Sequence, residues 1–314
     1  MACNTIPESQ EDGIRDEIED LEQRLREARG RLRAINPSET SRPIAEPMIP
    51  SIPSTPSSST HFLLLLADSA LPIGSFAFSS GLESYAAHAA AAASSSSSGG
   101  PRAPAPFSAF LPLSLGSVAS SALPFVLAAH RRPGALAALD DALDAATVCT
   151  VARRASTAQG RALLSIWERS FSPQAQSPSQ SQSQSQSPSE AHDCLRSFAA
   201  LLRRESKAEI PAASAHLAPL FGAISAIHGL SAAQAAYVFL LGHAKALVSA
   251  AVRANMFGPY QAQKLLAGGE LQALIDAVVR REWDTRVEDA GQSVPVMDLW
   301  VGRHETLYSR IFNS

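Results

Sequence analysis

Residues 231–259 read SAAQAAYVFLLGHAKALVSAAVRANMFGP. Tyr237, Leu240, Leu241, Ala244, Leu247, Val248 and Ala251 recur at the three- and four-residue spacing of one helical face. Ser231 is placed to cap that helix, and Gly258 with Pro259 marks its end. Small residues fill the other faces, which suits a central helix approached closely from several sides. Working outward, a shorter helix runs from Tyr260 to the Gly268-Gly269 pair. Another spans residues 270–283 and turns Leu271, Leu274, Ile275 and Val278 inward. After Pro295 the chain closes with residues 297–314, where Arg303, His304, Glu305, Tyr308 and Arg310 crowd together. Directional polar groups at that density suit docking on another surface.

Upstream the pattern stays helical. Residues 62–71 form a short apolar helix ended by Pro72 and Gly74, and residues 79–93 form a second, with Ser79 or Ser80 as its cap. Further helices are expected over residues 107–130, 135–171, 193–205 and 216–227, with Pro112, Pro124 and Pro133 interrupting the first region. No run alternates Val, Ile, Thr and aromatic residues, so a sheet is not expected. The fold class is all-α, and a hydrophobic fraction of 46% that leans on alanine agrees with it.

Of the 314 residues, three stretches look unable to pack: residues 1–60, the Ser/Gly/Pro run 94–106 and the Ser/Gln run 172–192. What remains makes one helical domain over residues 61–314 carrying two inserts. Within the N-terminal extension, residues 8–35 read as a charged helix. Its seam, Ile14, Ile18, Leu21, Leu25, Ala28, Leu32 and Ile35, alternates steps of four and three. Residues 36–60 follow as a Pro/Ser-rich linker. The formal net charge of −3 leaves no nucleic-acid footprint, and the scarcity of lysine, three among 26 basic residues, reads as a compositional bias rather than function. Cys3, Cys149 and Cys194 are odd in number, far apart and free of CxxC spacing, which fits a reducing, cytoplasmic compartment. The apolar run at residues 62–67 is too short to span a bilayer.

Familiar catalytic patterns are missing. There is no GxxxxGK[ST] to cradle a nucleotide, no GxGxxG after a strand, no GxSxG and no HExxH. The histidines at 61, 88, 130, 192, 216, 228, 243 and 304 stand singly, without ligand spacing. Folding could gather His216, His228 and His243, although satisfied or surface histidines are the plainer reading. Asp68 and Glu83 flank the Pro-Ile-Gly turn and could act as an acid/base pair; helix-end and solvent roles account for them equally well. The SQ dipeptides of residues 179–187 read as low-complexity sequence.

Residues 63–84, LLLLADSALPIGSFAFSSGLES, join an apolar helix, a Pro-Ile-Gly turn, an aromatic pair and a Gly-Leu-Glu start. This closely resembles the signature of the UreF family of urease accessory proteins. Three further blocks resemble the family in the same order: RRASTAQGRALLSIW at 153–167, AAVRANMFGPYQAQKLL at 250–266 and GRHETLYSRIFNS at 302–314. The resemblance covers residues 62–314 less the two inserts. It implies an all-helical homodimer that is not an enzyme and holds no cofactor of its own. Such a scaffold joins UreD, called UreH in some organisms, recruits the nickel-carrying GTPase UreG and docks on apo-urease, where GTP hydrolysis is coupled to nickel insertion.

By the same resemblance, Glu83 and Arg253, with Gln261 near them, are expected on the UreG side. Arg303, His304, Glu305, Tyr308, Ser309, Arg310 and Phe312 are expected on a distinct UreD side. Asp68, Pro72, Gly74, Phe76 and Gly81 are expected to hold the first two helices in register. Ser75 stands where a second glycine is common, a change that matters only if φ is positive there. Two competing readings are a helical bundle enclosing a small-molecule or hydrolytic pocket, and a coiled-coil adaptor working through its N-terminal heptads.

Overall fold

In the computed structural model, residues 20, 21, 23–28, 57–94, 106–172, 190–205, 208 and 211–313 are described. The chain divides into two units, Met1–Thr55 and Pro56–Ser314. Most of the heptad helix expected over 8–35, nearly all of the linker and the interiors of both inserts lie outside the described residues. In the first unit, residues 20, 21 and 23–28 are helical.

The second unit contains twelve described α-helices and, among the described residues, no strand. They are α1 (Ser58–Ala67), α2 (Leu82–Ser94), α3 (Phe107–Ser121), α4 (Leu123–Arg131), α5 (Leu136–Ala146), α6 (Thr150–Ile166), α7 (Glu190–Glu205), α8 (Leu217–Ile227), α9 (Ala232–Arg253), α10 (Pro259–Ala267), α11 (Gly269–Glu282) and α12 (Pro295–Arg303). The helix deduced from residues 231–259 is the axis of the bundle: α9 packs against α1, α3, α4, α8, α10 and α11. Leu240, Ala244, Leu247, Val248 and Ala251 are buried on it, while Tyr237 and Leu241 are partly covered. Ser231 and Gln234 form a reciprocal capping box at its start. The helix stops at Arg253, five residues before Gly258. Asn255 adopts a left-handed φ of 57°, and the Met256 amide donates back to the Ala251 carbonyl at 3.0 Å. Asn is the residue after glycine best able to close a helix this way.

Elsewhere the boundaries move for similar local reasons. α1 starts at Ser58 because Ser57 accepts the Thr60 amide as its cap, so the linker ends earlier than residue 60. α2 starts at Leu82, since Ser80 (φ 50°) and Gly81 (φ 86°) form a left-handed pair ahead of it. The long helix expected over 135–171 is broken at Thr147-Val148-Cys149 and ends in a π turn, Trp167–Phe171. α7 begins at Glu190, three residues inside the stretch expected not to pack. Ser75 opens a 3-10 turn, Ser75–Ala77, and the left-handed conformation belongs to Gly74 before it, so serine is no hindrance there.

α8 crosses closely over α4. A methyl built on Gly222 would lie 2.1 Å from the Val126 carbonyl oxygen, so only glycine admits this approach. The start of α8 is held by a fully buried carboxylate. Asp140 of α5 accepts the amides of Ser214 (2.7 Å), Ala215 (3.0 Å) and His216 (2.6 Å). Three charge-assisted bonds offset the cost of burying the ion and fix the left-handed Ala215. The region 107–131 and α9 are long and apolar enough to cross a membrane by composition, yet 72% and 50% of those windows are buried within the bundle.

Candidate functional site

The left-handed Ser80-Gly81 pair brings α2 hard against α12. A methyl on Gly81 would sit 3.1 Å from both Trp300 Cβ and the Val301 amide nitrogen. That approach aims Glu83, in the first turn of α2, at the segment beyond α12. Its Oε2 accepts from His304 Nε2 at 2.9 Å and from the Phe312 amide at 3.3 Å; its Oε1 accepts from the Ile311 amide at 2.7 Å. One carboxylate thus ties both ends of the tail, residues 304–313, to α2.

Arg253, the last residue of α9, holds the tail from the other side. Its guanidinium lies 4.3 Å from the centre of the buried Phe312 ring and donates to the Phe76 carbonyl. Burial lowers its pKa from the ordinary arginine value. The Asn313 amide donates to the Ala77 carbonyl at 2.8 Å. A third helix contributes Arg154, which pairs with Glu305 and donates to the Asn313 carbonyl. Hydrogen bonds from Arg154 and then Arg310, the latter at 2.9 Å, hold the Glu305 carboxyl below its usual range. Beside these groups a cleft of about 600 Å³ opens between Phe78, Arg154, Ala158, Glu305, Arg310, Phe312 and Asn313. Phe76, Tyr308 and Ile311 leave large apolar surface exposed at 64%, 108% and 63%.

Glu83 and Arg253, expected on one side, are in direct contact with the tail residues expected on the other. The reason is geometric: the Gly81 approach and the end of α9 converge on the same few residues. Gln261 stands apart, exposed on α10. Arg303, Tyr308 and Ser309 are exposed on the tail side. Among the signature residues, Gly74 and Gly81 take left-handed conformations, and Asp68 closes α1 by accepting the Ala70 amide at 2.9 Å. Pro72 is exposed in the turn that follows. Phe76 corrects its expected role, since its ring faces outward and only its carbonyl joins the site. Asp68 and Glu83 serve different contacts, so no acid/base pair forms.

Nor are the histidines gathered. His243 on α9 meets Ser114 Oγ at 2.9 Å, and burial lowers its pKa to about 4. His228 stacks on Phe62 with ring centres 3.7 Å apart, and burial, then the nearby His192, lowers it to about 4. His216, fully buried, joins Asp144 (2.8 Å) to Ser156 (3.0 Å). Burial alone would raise the Asp144 pKa, but hydrogen bonds from His216, Arg153 and Ser214 outweigh it and lower the carboxyl. The ionised Asp144 only accepts, so His216 Nε2 donates to it, and Nδ1 meets Ser156 Oγ on the other side of the ring. Ser, His and Asp in line suggest a nucleophile. Ser156 Oγ, however, also accepts the Leu217 amide at 3.3 Å, which makes the chain of bonds an anchor for α8. Among the described residues, no group of three or more His, Cys, Asp or Glu could hold a metal ion. A second cavity, about 500 Å³, lies in the bundle against α3, α6 and α9, with Ser114, Ser117, Gln159 and His243 in its wall.

Sequence reasoning missed Arg154, Asp140 and Trp300. Arg154 lay within a block already matched as a whole, with no spacing to single it out. Asp140 sits among LDDALDAA, where nothing distinguishes the buried aspartate from its exposed neighbour Asp141.

Among the described residues the chain is a helical bundle whose C-terminal tail is clamped between charged helix ends. The UreF family profile matches residues 102–270. A UreF-like urease accessory protein of Schizosaccharomyces pombe is 35% identical over 255 residues, covering 81% of this chain and 97% of the relative. Urease accessory protein F of Oryza sativa subsp. indica is 32% identical, covering 79% and 82%. Urease accessory protein 6 of Cryptococcus neoformans is 26% identical, covering 81% and 96%. The chain belongs to the UreF family, and it is an accessory protein rather than an enzyme.

Proposed function

We propose that this chain is the scaffold of a urease maturation complex. In this reading it joins UreD (UreH) and the GTPase UreG, presents them to apo-urease as a homodimer in the cytosol, and gates GTP hydrolysis so that nickel is released only in the assembled complex. Nickel is cargo carried by the partners. The observation that carries the proposal is the tail clamp. Glu83 and Arg253 fix residues 304–313 into a surface that mixes exposed aromatic and aliphatic side chains with arginines and Glu305. Aromatic residues and arginine at such density are what protein interfaces favour.

Because the clamp unites residues expected on separate faces, UreD and UreG recruitment should both depend on it. Co-expression with the cognate UreD and UreG, followed by affinity capture and size-exclusion chromatography with and without GTP, tests the reading. A stoichiometric three-protein complex is the expected result, lost when residues 302–314 are removed. A folded chain that captures neither partner would overturn it.

A further inference from the structure

The cavity of about 500 Å³ inside the bundle is used by neither the clamp nor the maturation reading. Folded interiors leave few voids larger than a water molecule, so a space of this size needs a cause. Its walls supply one: α9 contributes Gly242 and Ala246, α6 Ala152 and Ala155, and α3 Ser114 and Ser117, all small. Gly242 contrasts with Gly222. It lies within helical backbone, and a methyl built on it would meet nothing within 4 Å, so neither conformation nor close approach calls for glycine. Its effect is to leave volume. Val148, 88% exposed, and the exposed Gly291 also belong to the wall, so the cavity reaches the surface between the α5–α6 break and the link before α12.

The lining decides what enters. Leu66, Val118, Leu143, Phe221 and Phe239 make much of it apolar. Three polar atoms stand among them. Ser117 is only 6% exposed, and among the described residues nothing bonds its hydroxyl, Gln159 Oε1 or His243 Nδ1. The other ends of the last two are engaged: Gln159 Nε2 donates to the Ala155 carbonyl at 3.2 Å, and His243 Nε2 meets Ser114 Oγ at 2.9 Å. Buried polar atoms left in this state are satisfied by whatever occupies the space. Among the described wall residues none is a lysine or arginine, so an anion finds no counter-charge. Asp298 is the one carboxylate there, and it already accepts from Gln292 Nε2 at 3.0 Å. His243, its pKa lowered to about 4 by burial, is neutral near pH 7. A few placed polar groups in a largely apolar space of this volume are the usual make-up of a small-molecule site.

We propose that this cavity binds an uncharged, mainly apolar small molecule carrying a hydroxyl or amide group, with the polar end against Ser117 and Gln159 and the body along α9. The site is separate from the clamp and independent of the maturation reading.

Equilibrium dialysis of the full-length chain at pH 7 tests it with three probes of one shape: 2-naphthol, 2-methylnaphthalene, which lacks the hydroxyl, and 2-naphthoate, which is charged. Saturable binding of 2-naphthol, one per chain, is expected, with 2-naphthoate weaker by about tenfold or more, since a buried charge without a partner is costly. Gly242→Leu should fill the cavity and abolish saturable binding while helical content and the denaturation midpoint do not fall. Ala246→Leu, one turn further along the same face, repeats the block from a second position. Gln159→Leu should weaken 2-naphthol by about three- to tenfold, the worth of one neutral hydrogen bond, and leave 2-methylnaphthalene unchanged. No saturable binding of 2-naphthol would mean that the cavity holds only water and would overturn the proposal. Binding that survives both leucine substitutions, or that favours 2-naphthoate, would overturn it too.

Discussion

Replacing Glu83 with alanine removes the acceptor on which His304 Nε2 and the amides of Ile311 and Phe312 converge. Two of these bonds are well formed, at 2.9 and 2.7 Å, and the third is weak at 3.3 Å. A hydrogen bond to a charged group contributes about 1.5–3 kcal/mol, and Glu83 is only 12% exposed, so two such bonds put the loss at roughly 3–6 kcal/mol. His304 is fully buried and its Nδ1 has no partner, so keeping the tail docked would leave the imidazole wholly unsatisfied. The tail should therefore detach while the bundle stays folded. Hydrogen exchange reads this directly, because the Ile311, Phe312 and Asn313 amides donate to Glu83 and Ala77. Their protection should fall by about a hundredfold or more, at roughly tenfold per 1.4 kcal/mol. Amides on α9 should hardly change. Glu83→Gln should do less, since its amide oxygen still accepts one bond and His304 can change tautomer to accept from its NH₂. If Ile311 and Asn313 kept their protection in the alanine variant, the carboxylate would not be what holds the tail.

Two further outcomes follow from the interior. Gly222→Ala forces a methyl to within 2.1 Å of the Val126 carbonyl oxygen and should destabilise the whole domain by about 1–3 kcal/mol or more, read as a lower denaturation midpoint; an unchanged midpoint would mean that α4 and α8 separate freely. His228 and His243, held near pKa 4 against 6.5 in the unfolded chain, bind fewer protons when folded. Stability is thus complete above pH 6.5 and declines as pH falls toward 4, with a slope up to about 1.4 kcal/mol per pH unit for each histidine. Denaturation of His243→Gln across that window should show a shallower decline, and identical slopes would refute the assignment.

Much of this molecule was legible in advance because helix periodicity is a local property. The face of α9 could be read from residues 231–251 alone, and so could the inward set on α11. What escaped was set at a distance. The break at Thr147-Val148-Cys149 interrupts a helical pattern without a glycine or proline. The end of α9 rests on one asparagine in a left-handed conformation. The contact of Glu83 with the tail depends on Gly81 letting α2 reach Trp300, a contact between residues more than two hundred positions apart. Of the residues in the tail clamp, Glu83, Arg253, Glu305 and Arg310 were singled out in the sequence and Arg154 was not, and none of their mutual contacts could be read there.

The Trp300 wedge has an optical consequence. The chain's three tryptophans, at 167, 283 and 300, stand in different surroundings: the first in the core, the second beneath Arg131, and the third packed on Tyr85 and Phe110 next to the clamp. With phenylalanine at 167 and 283, the emission of Trp300 becomes a signal from the α2–α12 junction alone. Partner docking could then be followed in real time, without a label, through a fluorophore already built into the joint it reports.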